Sequence, residues 1–389
     1  METAYCTFTP LPLQSSKHHF HNKNSESMGL GDKIAEIEAE MARTQKNKAT
    51  EHHLGSLKAK LARYRSELAE PKQKSTKAPA FEVQKSGDAR VALVGFPSVG
   101  KSTLLSKITS TFSKQAEHEF TTLDCISGKL EYNGASIQIL DLPGIIDGAS
   151  SNRGRGRQII SVVKTADLIL MILDYRRPKD KEILISELNK MGIRINKTRP
   201  NVSLVRTGSG IEITACCKLA NLSEATIIAI LKEYRIYNCQ LTIREDITDE
   251  DLIDVLSSNA TYLRCIFCYN KVDELSYDEF LSIAEDDENV VISCNMGWNL
   301  DELKHRVWSE LQLKRIYTKK KGEDPDFKHP IVMRSEPTVK ELCLRIHKDM
   351  DINFKHALVW GSSAKHQPQK VGLSHFLNDE DVVQISTKY

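Results

Sequence analysis

The sequence predicts an α/β fold whose main domain is built on a parallel sheet. Three observations predict it. A short apolar run at 91–94 leads straight into GFPSVGKS at 95–102, and STLLSKI then continues with apolar residues at helical spacing. SIQILD and CIFCYN are strand-length apolar runs that each close on a polar residue, as strands do when they deliver side chains to the rim of a parallel sheet, and LILMILD is a further strand candidate. Finally, Asn270 follows Asp141 by 129 positions, whereas two β–α units take roughly 60. An inserted module is therefore expected between them.

The whole chain sets limits. Its 389 residues suggest two to four domains. With 54 basic and 52 acidic side chains, affinity for nucleic acid must come from local patches. Nine cysteines show no framework spacing and read as reduced thiols of the cytoplasm or nucleus. Cys265 and Cys268 form a C-x-x-C, but Ile266 and Phe267 between them indicate a buried strand and ordinary core cysteines. No run approaches the roughly 20 apolar residues of a membrane span, and neither end carries a lipidation signal. No membrane partner is expected.

Taken in order, residues 1–28 have little periodicity and much Ser, His and Asn, and a disordered extension is expected. Its lack of arginine argues against a transit peptide, and Met28 stands as a second start. In 29–80, Ile34, Ile37 and Met41 recur at helical spacing, as do Leu54, Leu57, Leu61, Tyr64 and Leu68, so a helical hairpin followed by the linker PKQKSTKAPA is predicted. Lys46, Lys48, Lys58, Lys60, Arg63, Arg65, Lys72, Lys74 and Lys77 make this the most basic stretch of the chain. Two readings stand: a positive contact surface for RNA, or a solvated charged face with interspersed glutamates.

The main domain is expected at 86–174 and 244–312, around an inserted α/β module at 175–243. Its loop, from Gly95 through Phe96, Pro97, Ser98, Val99 and Gly100 to Lys101, Ser102 and Thr103, fits G-x-x-x-x-G-K-[ST]. Glycines let backbone N–H groups cradle phosphates, Lys101 reaches the outer phosphates, and the Ser102 hydroxyl suits Mg²⁺. Asp141 closes a strand where a carboxylate meets that metal through water. Between them, EFTTLD offers a threonine that closes onto the metal when the terminal phosphate is present, and Thr122 is preferred over Thr121. Gly144, in DLPG, falls where a switch senses that phosphate. Lys101, Thr122 and Gly144 are thus the candidate catalytic residues. The next residue is Ile145, where Ras-type enzymes carry the glutamine that orients water. An isoleucine side chain can do no such thing.

The base is named by YNKVD. A carboxylate at Asp273, beside Asn270 and Lys271, accepts from guanine N1–H and its exocyclic amine, a match adenine lacks. That disfavours an ATPase or small-molecule kinase. In VVISC, the backbone N–H groups of Ser293 and Cys294 are expected to meet guanine O6.

Together GDARVALVGFPSVGKST, EFTTL, ILDLPGIIDGA, GRGRQ, YNKVD, VVISC and ALVWGSSAKHQPQKVG resemble the developmentally regulated GTP-binding proteins (DRG), a branch of the Obg-like GTPases. The resemblance runs from about Gly31 to the C-terminus and is nearer the second eukaryotic subtype. It implies a P-loop GTPase domain with an α/β insertion, a helix-turn-helix-like hairpin and a C-terminal TGS domain of β-grasp type at 313–389. TVKELCLRIHKDM would be that module's helix, and ALVWG and DVVQIS two of its strands. KDKEILISELNKMG and SEATIIAILKEYRIY fall in the insertion, and DITDEDLIDVL supplies the main-domain helix before Asn270.

The resemblance further implies slow, Mg²⁺-dependent hydrolysis of GTP to GDP and phosphate by a cytoplasmic switch on ribosomes or RNA, with a DRG-family regulatory protein as partner. The family belongs to GTPases with a hydrophobic residue in place of the catalytic glutamine, so Ile145 is compatible with turnover. Two substitutes are open. One is K⁺, although several potassium-dependent relatives carry asparagine where this chain has Ser98. The other is Arg153, Arg155 or Arg157 acting in cis, against the reading of these arginines as a solvated or RNA-facing loop. The rival function is a nucleotide-stabilised RNA- or ribosome-binding scaffold with negligible hydrolysis.

Overall fold

In the computed structural model, which describes residues 29–45, 47, 49–69, 86–109, 111–112, 126–142 and 161–387, the chain opens on the expected hairpin. Helices α1 (Leu30–Arg43) and α2 (Glu51–Ala69) pack Ile37 and Met41 against Leu57, Leu61 and Tyr64. These are the residues whose spacing predicts the helices. Asn47 turns the chain between them, its Oδ1 accepting from the backbone N–H of Ala49 and Thr50.

The main sheet follows. Its elements are β1 (Ala89–Val94), α3 (Lys101–Ile108), β2 (Thr111–Phe112), β3 (Ile126–Tyr132), β4 (Ala135–Asp141), β5 (Leu168–Asp174), α4 (Lys179–Lys190) and β6 (Ile193–Ile195). After an excursion, β7 (Val202–Arg206), β8 (Ile211–Ala215), α5 (Glu224–Glu233), β9 (Cys239–Ile243) and α6 (Asp249–Ser257), the chain returns as β10 (Thr261–Asn270), α7 (Tyr277–Ala284), β11 (Asn289–Val291) and α8 (Leu300–Glu310). The strand order is β11-β10-β5-β1-β4-β3-β2, with β6 beside the start of β10. From β11 to β4 the strands are parallel; β3 and β2 run antiparallel at one edge. Every residue of β1 and β5 is buried, because helices cover both faces. Parallel direction places the ends of β1, β4, β5 and β10 along one rim.

Packing differs from the expected boundaries. Helix α4 buries Leu184 and Leu188 in the core that holds Ile169, Met171 and Phe267, so KDKEILISELNK is a helix of the main domain. Helix α6, expected to precede Asn270 in that domain, instead buries Leu252 and Ile253 with Ile227, Ile230, Leu241 and Ile243 of the excursion. Both helices have an apolar face, and amphipathicity does not say which core receives it. The excursion's own sheet is β7-β9-β8. Bidentate contacts from Arg194 to Asp254, 2.6 and 2.8 Å, tie it to the main domain.

Helix α2 also packs on this module. Ala59 belongs to the module's core, Gly55 faces Thr226, Lys58 pairs with Asp249 at 2.8 Å and Arg63 with Glu233 at 3.0 Å. Arg65 pairs with Glu38 within the hairpin. Three of the cations that suggested an RNA surface are thus held in ion pairs; Lys46, Lys48, Lys72, Lys74 and Lys77 lie outside the described residues, as do residues 1–28.

The C-terminal strands β12 (Leu313–Thr318), β13 (Asp326–Arg334), β14 (Phe354–Trp360), β15 (Gln369–Val371) and β16 (Val382–Thr387) form a mixed sheet in the order β13-β12-β16-β14-β15. Helix α9 (Val339–Ile346) lies on one face, burying Val339, Leu342 and Cys343 against Ile316, Ala357, Val359 and Val383. It is shorter than TVKELCLRIHKDM: Thr338 caps its start, and the backbone is already extended at His347. Leu313 and Val332 reach into the main-domain core, and Arg334 binds Asp167 and the backbone oxygen of Asp88. Cys265 and Cys268 are buried in β10 with thiols that burial pushes far up, as core cysteines require. No described helix is long and apolar enough to cross a membrane.

Candidate nucleotide site

The site is built where β1 gives way to α3. A Cβ on Gly95 would meet the carbonyl oxygen of Ile172 at 2.5 Å, so the chain passes this strand only as glycine. Gly100 has φ +102°, and a Cβ there would strike the Asn270 side-chain amide. Between them Val99 is buried, while Pro97 and Ser98 are exposed and Phe96 is half-buried. Helix α3 starts at Lys101, so its unpaired N-terminal N–H groups face the loop. The Lys101 ammonium donates to the backbone oxygens of Gly95 and Phe96, both at 2.9 Å, which folds the side chain over the loop. Thr103 is exposed in the first turn.

Asp141, at the end of β4, is 4% exposed. Its Oδ2 accepts from the Ser102 hydroxyl at 2.8 Å, and its Oδ1 has no hydrogen-bond partner among the described residues. A buried carboxylate oxygen in that condition calls for a partner. A hydroxyl beside a carboxylate with spare acceptor capacity fits a hydrated Mg²⁺ bound jointly with phosphate oxygens. No group of three or more His, Cys, Asp or Glu side chains that could hold a metal ion occurs among the described residues.

The third strand end carries the base motif. Asn270, 3% exposed, donates through Nδ2 to the Val99 backbone oxygen at 2.8 Å and accepts at Oδ1 from the Cys294 N–H at 3.0 Å. It ties the phosphate loop to the base loop. Lys271 adopts φ +69° and opens the short turn Val272–Glu274, on which Asp273 Oδ1 is buried without a hydrogen-bond partner among the described residues. Lys271 Nζ binds Asp174 Oδ2 at 2.9 Å. Burial pushes the Asp174 carboxyl up, but the Lys271 ammonium and the Arg176 backbone N–H outweigh it and hold it below the usual carboxylate range.

One expectation is corrected. The Ser293 N–H donates to the Trp298 backbone oxygen at 3.3 Å and the Cys294 N–H to Asn270, so neither of these amides is directed at a base. They build the loop instead. Ser293 Oγ accepts from the Met296 N–H, and burial pushes the Cys294 thiol to about 11. Thr121, Thr122, Gly144, Ile145, Arg153, Arg155 and Arg157 lie outside the described residues. Sequence reasoning passed over Asp174, although its place as the polar last residue of LILMILD was the available signal.

Strand, loop and helix with a lysine and hydroxyl at the turn, an aspartate on the neighbouring strand and an Asn-Lys-x-Asp on the third define a P-loop GTPase domain. Residues 90–206 match the family model described as 50S ribosome-binding GTPase, 208–313 the C-terminal region of that domain and 314–387 the TGS domain. Over 364 residues the chain is 52% identical to developmentally-regulated GTP-binding protein 2 of Mus musculus and 54% identical to GTP-binding protein 1 of Schizosaccharomyces pombe, covering 93% of this chain and 100% of each relative. It is 51% identical over 361 residues to developmentally-regulated GTP-binding protein 1 of Xenopus laevis, covering 92% and 98%. The chain belongs to the developmentally regulated GTP-binding protein family. Relatives named 1 and 2 match almost equally, so these identities do not distinguish the subtype.

Proposed function

We propose that this chain hydrolyses GTP to GDP and phosphate as a slow, Mg²⁺-dependent cytoplasmic switch associated with ribosomes or RNA and stimulated by a DRG-family regulatory protein. The observation that carries the reading is a pair of buried acceptors without partners among the described residues, Asp141 Oδ1 and Asp273 Oδ1, one beside the phosphate loop and one on the base turn. Guanine supplies two N–H donors to the carboxylate that carries the second. Bound Mg²⁺ would neutralise charge on the outer phosphates, held by Ser102 and, when the terminal phosphate is present, Thr122, with Asp141 acting through water. The remaining work falls to the chain. Gly95–Gly100 and the start of α3 offer N–H groups to the phosphates, Lys101 places its ammonium among their oxygens, and Gly144 senses the terminal one. Ile145 cannot orient water, so K⁺ or an arginine among Arg153, Arg155 and Arg157 supplies what glutamine supplies elsewhere.

Single-turnover phosphate release by the full chain in Mg²⁺, compared in KCl and NaCl, tests this. Lys101→Ala should lower the rate by about a hundredfold or more. Near-normal release in that variant would remove the loop from the active site. No release by the wild-type chain with potassium, ribosomes and regulatory protein all present would favour the scaffold.

A further inference from the structure

The last residue of β5 and the two that follow it grip the turn that carries Asp273. Asp174 lies opposite Asn270 in the sheet register, and its carboxylate is fully engaged: Oδ2 accepts from Lys271 Nζ at 2.9 Å and Oδ1 from the Arg176 N–H at 3.1 Å. The chain turns sharply there. That turn aims the Arg176 guanidinium, stacked on Tyr175, at Glu274, with which it forms an ion pair. Lys271 and Glu274 are the two ends of the four-residue segment Lys271–Glu274, and Asp273 lies between them. Lys271, moreover, holds φ +69°, a backbone state that a residue with a side chain keeps only when its surroundings enforce it.

We propose that Asp174 and Arg176 are specificity-determining positioning residues: a two-point clamp from the end of β5 that holds the Lys271–Glu274 turn so that Asp273 meets guanine without first having to be ordered. The inference rests on the assignment of Asp273 as the reader of guanine. Neither clamp residue touches the base. Their effect falls on the orientation of Asp273, and so on the part of affinity that depends on the guanine exocyclic amine. Loosening the clamp adds an ordering cost to binding that is recovered only through that contact.

The probe is therefore inosine triphosphate, which is GTP without the exocyclic amine. Kd values for GTP and inosine triphosphate are measured on the full chain by competition with a fluorescent GDP, and the ratio of the inosine triphosphate Kd to the GTP Kd reports how well Asp273 engages. Asp174→Asn removes one grip, and Arg176→Glu sets like charges against each other at the second. Each should lower the ratio by about three- to tenfold. The exchange Arg176→Glu with Glu274→Arg should bring it back. Arg176 is 56% exposed, so its variants keep the test decisive if Asp174→Asn fails to fold. A folded Arg176→Glu variant whose ratio equals that of wild type, or whose affinities for both nucleotides fall equally, would overturn the clamp. A wild-type chain that binds inosine triphosphate as tightly as GTP would instead overturn the assignment of Asp273 itself.

Discussion

Replacing Asp273 by asparagine changes one oxygen into an amide nitrogen and should change the nucleotide the protein prefers. Among the described residues Asp273 Oδ1 accepts no hydrogen bond, so the substitution breaks no contact shown at that atom and should leave the melting temperature nearly unchanged. What it removes is the acceptor pair for guanine. Two charge-assisted hydrogen bonds at about 1.5–3 kcal/mol each amount to a loss of roughly two to four orders of magnitude in GTP affinity. Asparagine presents one donor and one acceptor. Xanthine answers that pattern, because a second carbonyl stands where guanine has its amine, and Asp273→Asn should therefore prefer xanthosine triphosphate. Competition among GTP, ATP and xanthosine triphosphate for the folded variant reads this directly. An unchanged ranking, with only stability reduced, would mean that Asp273 merely shapes the turn after β10.

Three further outcomes follow from the same geometry. Asn270→Ala would leave the Val99 carbonyl and the Cys294 N–H without the amide that serves both, at about 1–3 kcal/mol each; urea unfolding should shift accordingly, and a loss below about 1 kcal/mol would show that the two loops do not depend on it. Asp174 titrates below its unfolded value, near 3.9, so its stabilisation is complete above that value and is lost as pH falls through the lower folded value. Melting temperatures of wild type and Asp174→Asn should accordingly converge as pH is lowered below about 4, and a gap that widens in acid would reverse the sign of this account. Arg334→Ala removes charge-assisted contacts to Asp167 and Asp88, worth about 1.5–3 kcal/mol; the C-terminal module should melt earlier, and melting within about 1 °C of wild type would show that the junction is held without Arg334.

The phosphate loop was legible because chemistry fixes residue type there. A loop that approaches phosphates and passes under Ile172 and Asn270 needs glycine at 95 and 100, and a cation and hydroxyl must follow at the start of the helix. The hairpin was legible for another reason. Ile37, Met41, Leu57 and Leu61 meet one another, so their periodicity and their packing carry the same information.

What local pattern does not contain is the identity of a partner far along the chain. Helices α4 and α6 present similar apolar faces, and only the course of the chain after β5 decided which core each entered. Lys58 and Arg63 read as free positive charge until α2 lay against Asp249 and Glu233, 191 and 170 residues away in sequence. The amides of Ser293 and Cys294 were assigned to guanine from their place after a strand, yet the loop closing on Trp298 and Asn270 took both. The sequence by itself determined which chemical groups stand at the proposed nucleotide site, since phosphate and guanine each demand particular donors and acceptors at short spacing. Tertiary structure alone decided how those groups are held: the restraints on Lys271 and Asn270 come from β5, the loop after β1 and the loop after β11, and pairing between strands is set by the packing of the whole sheet.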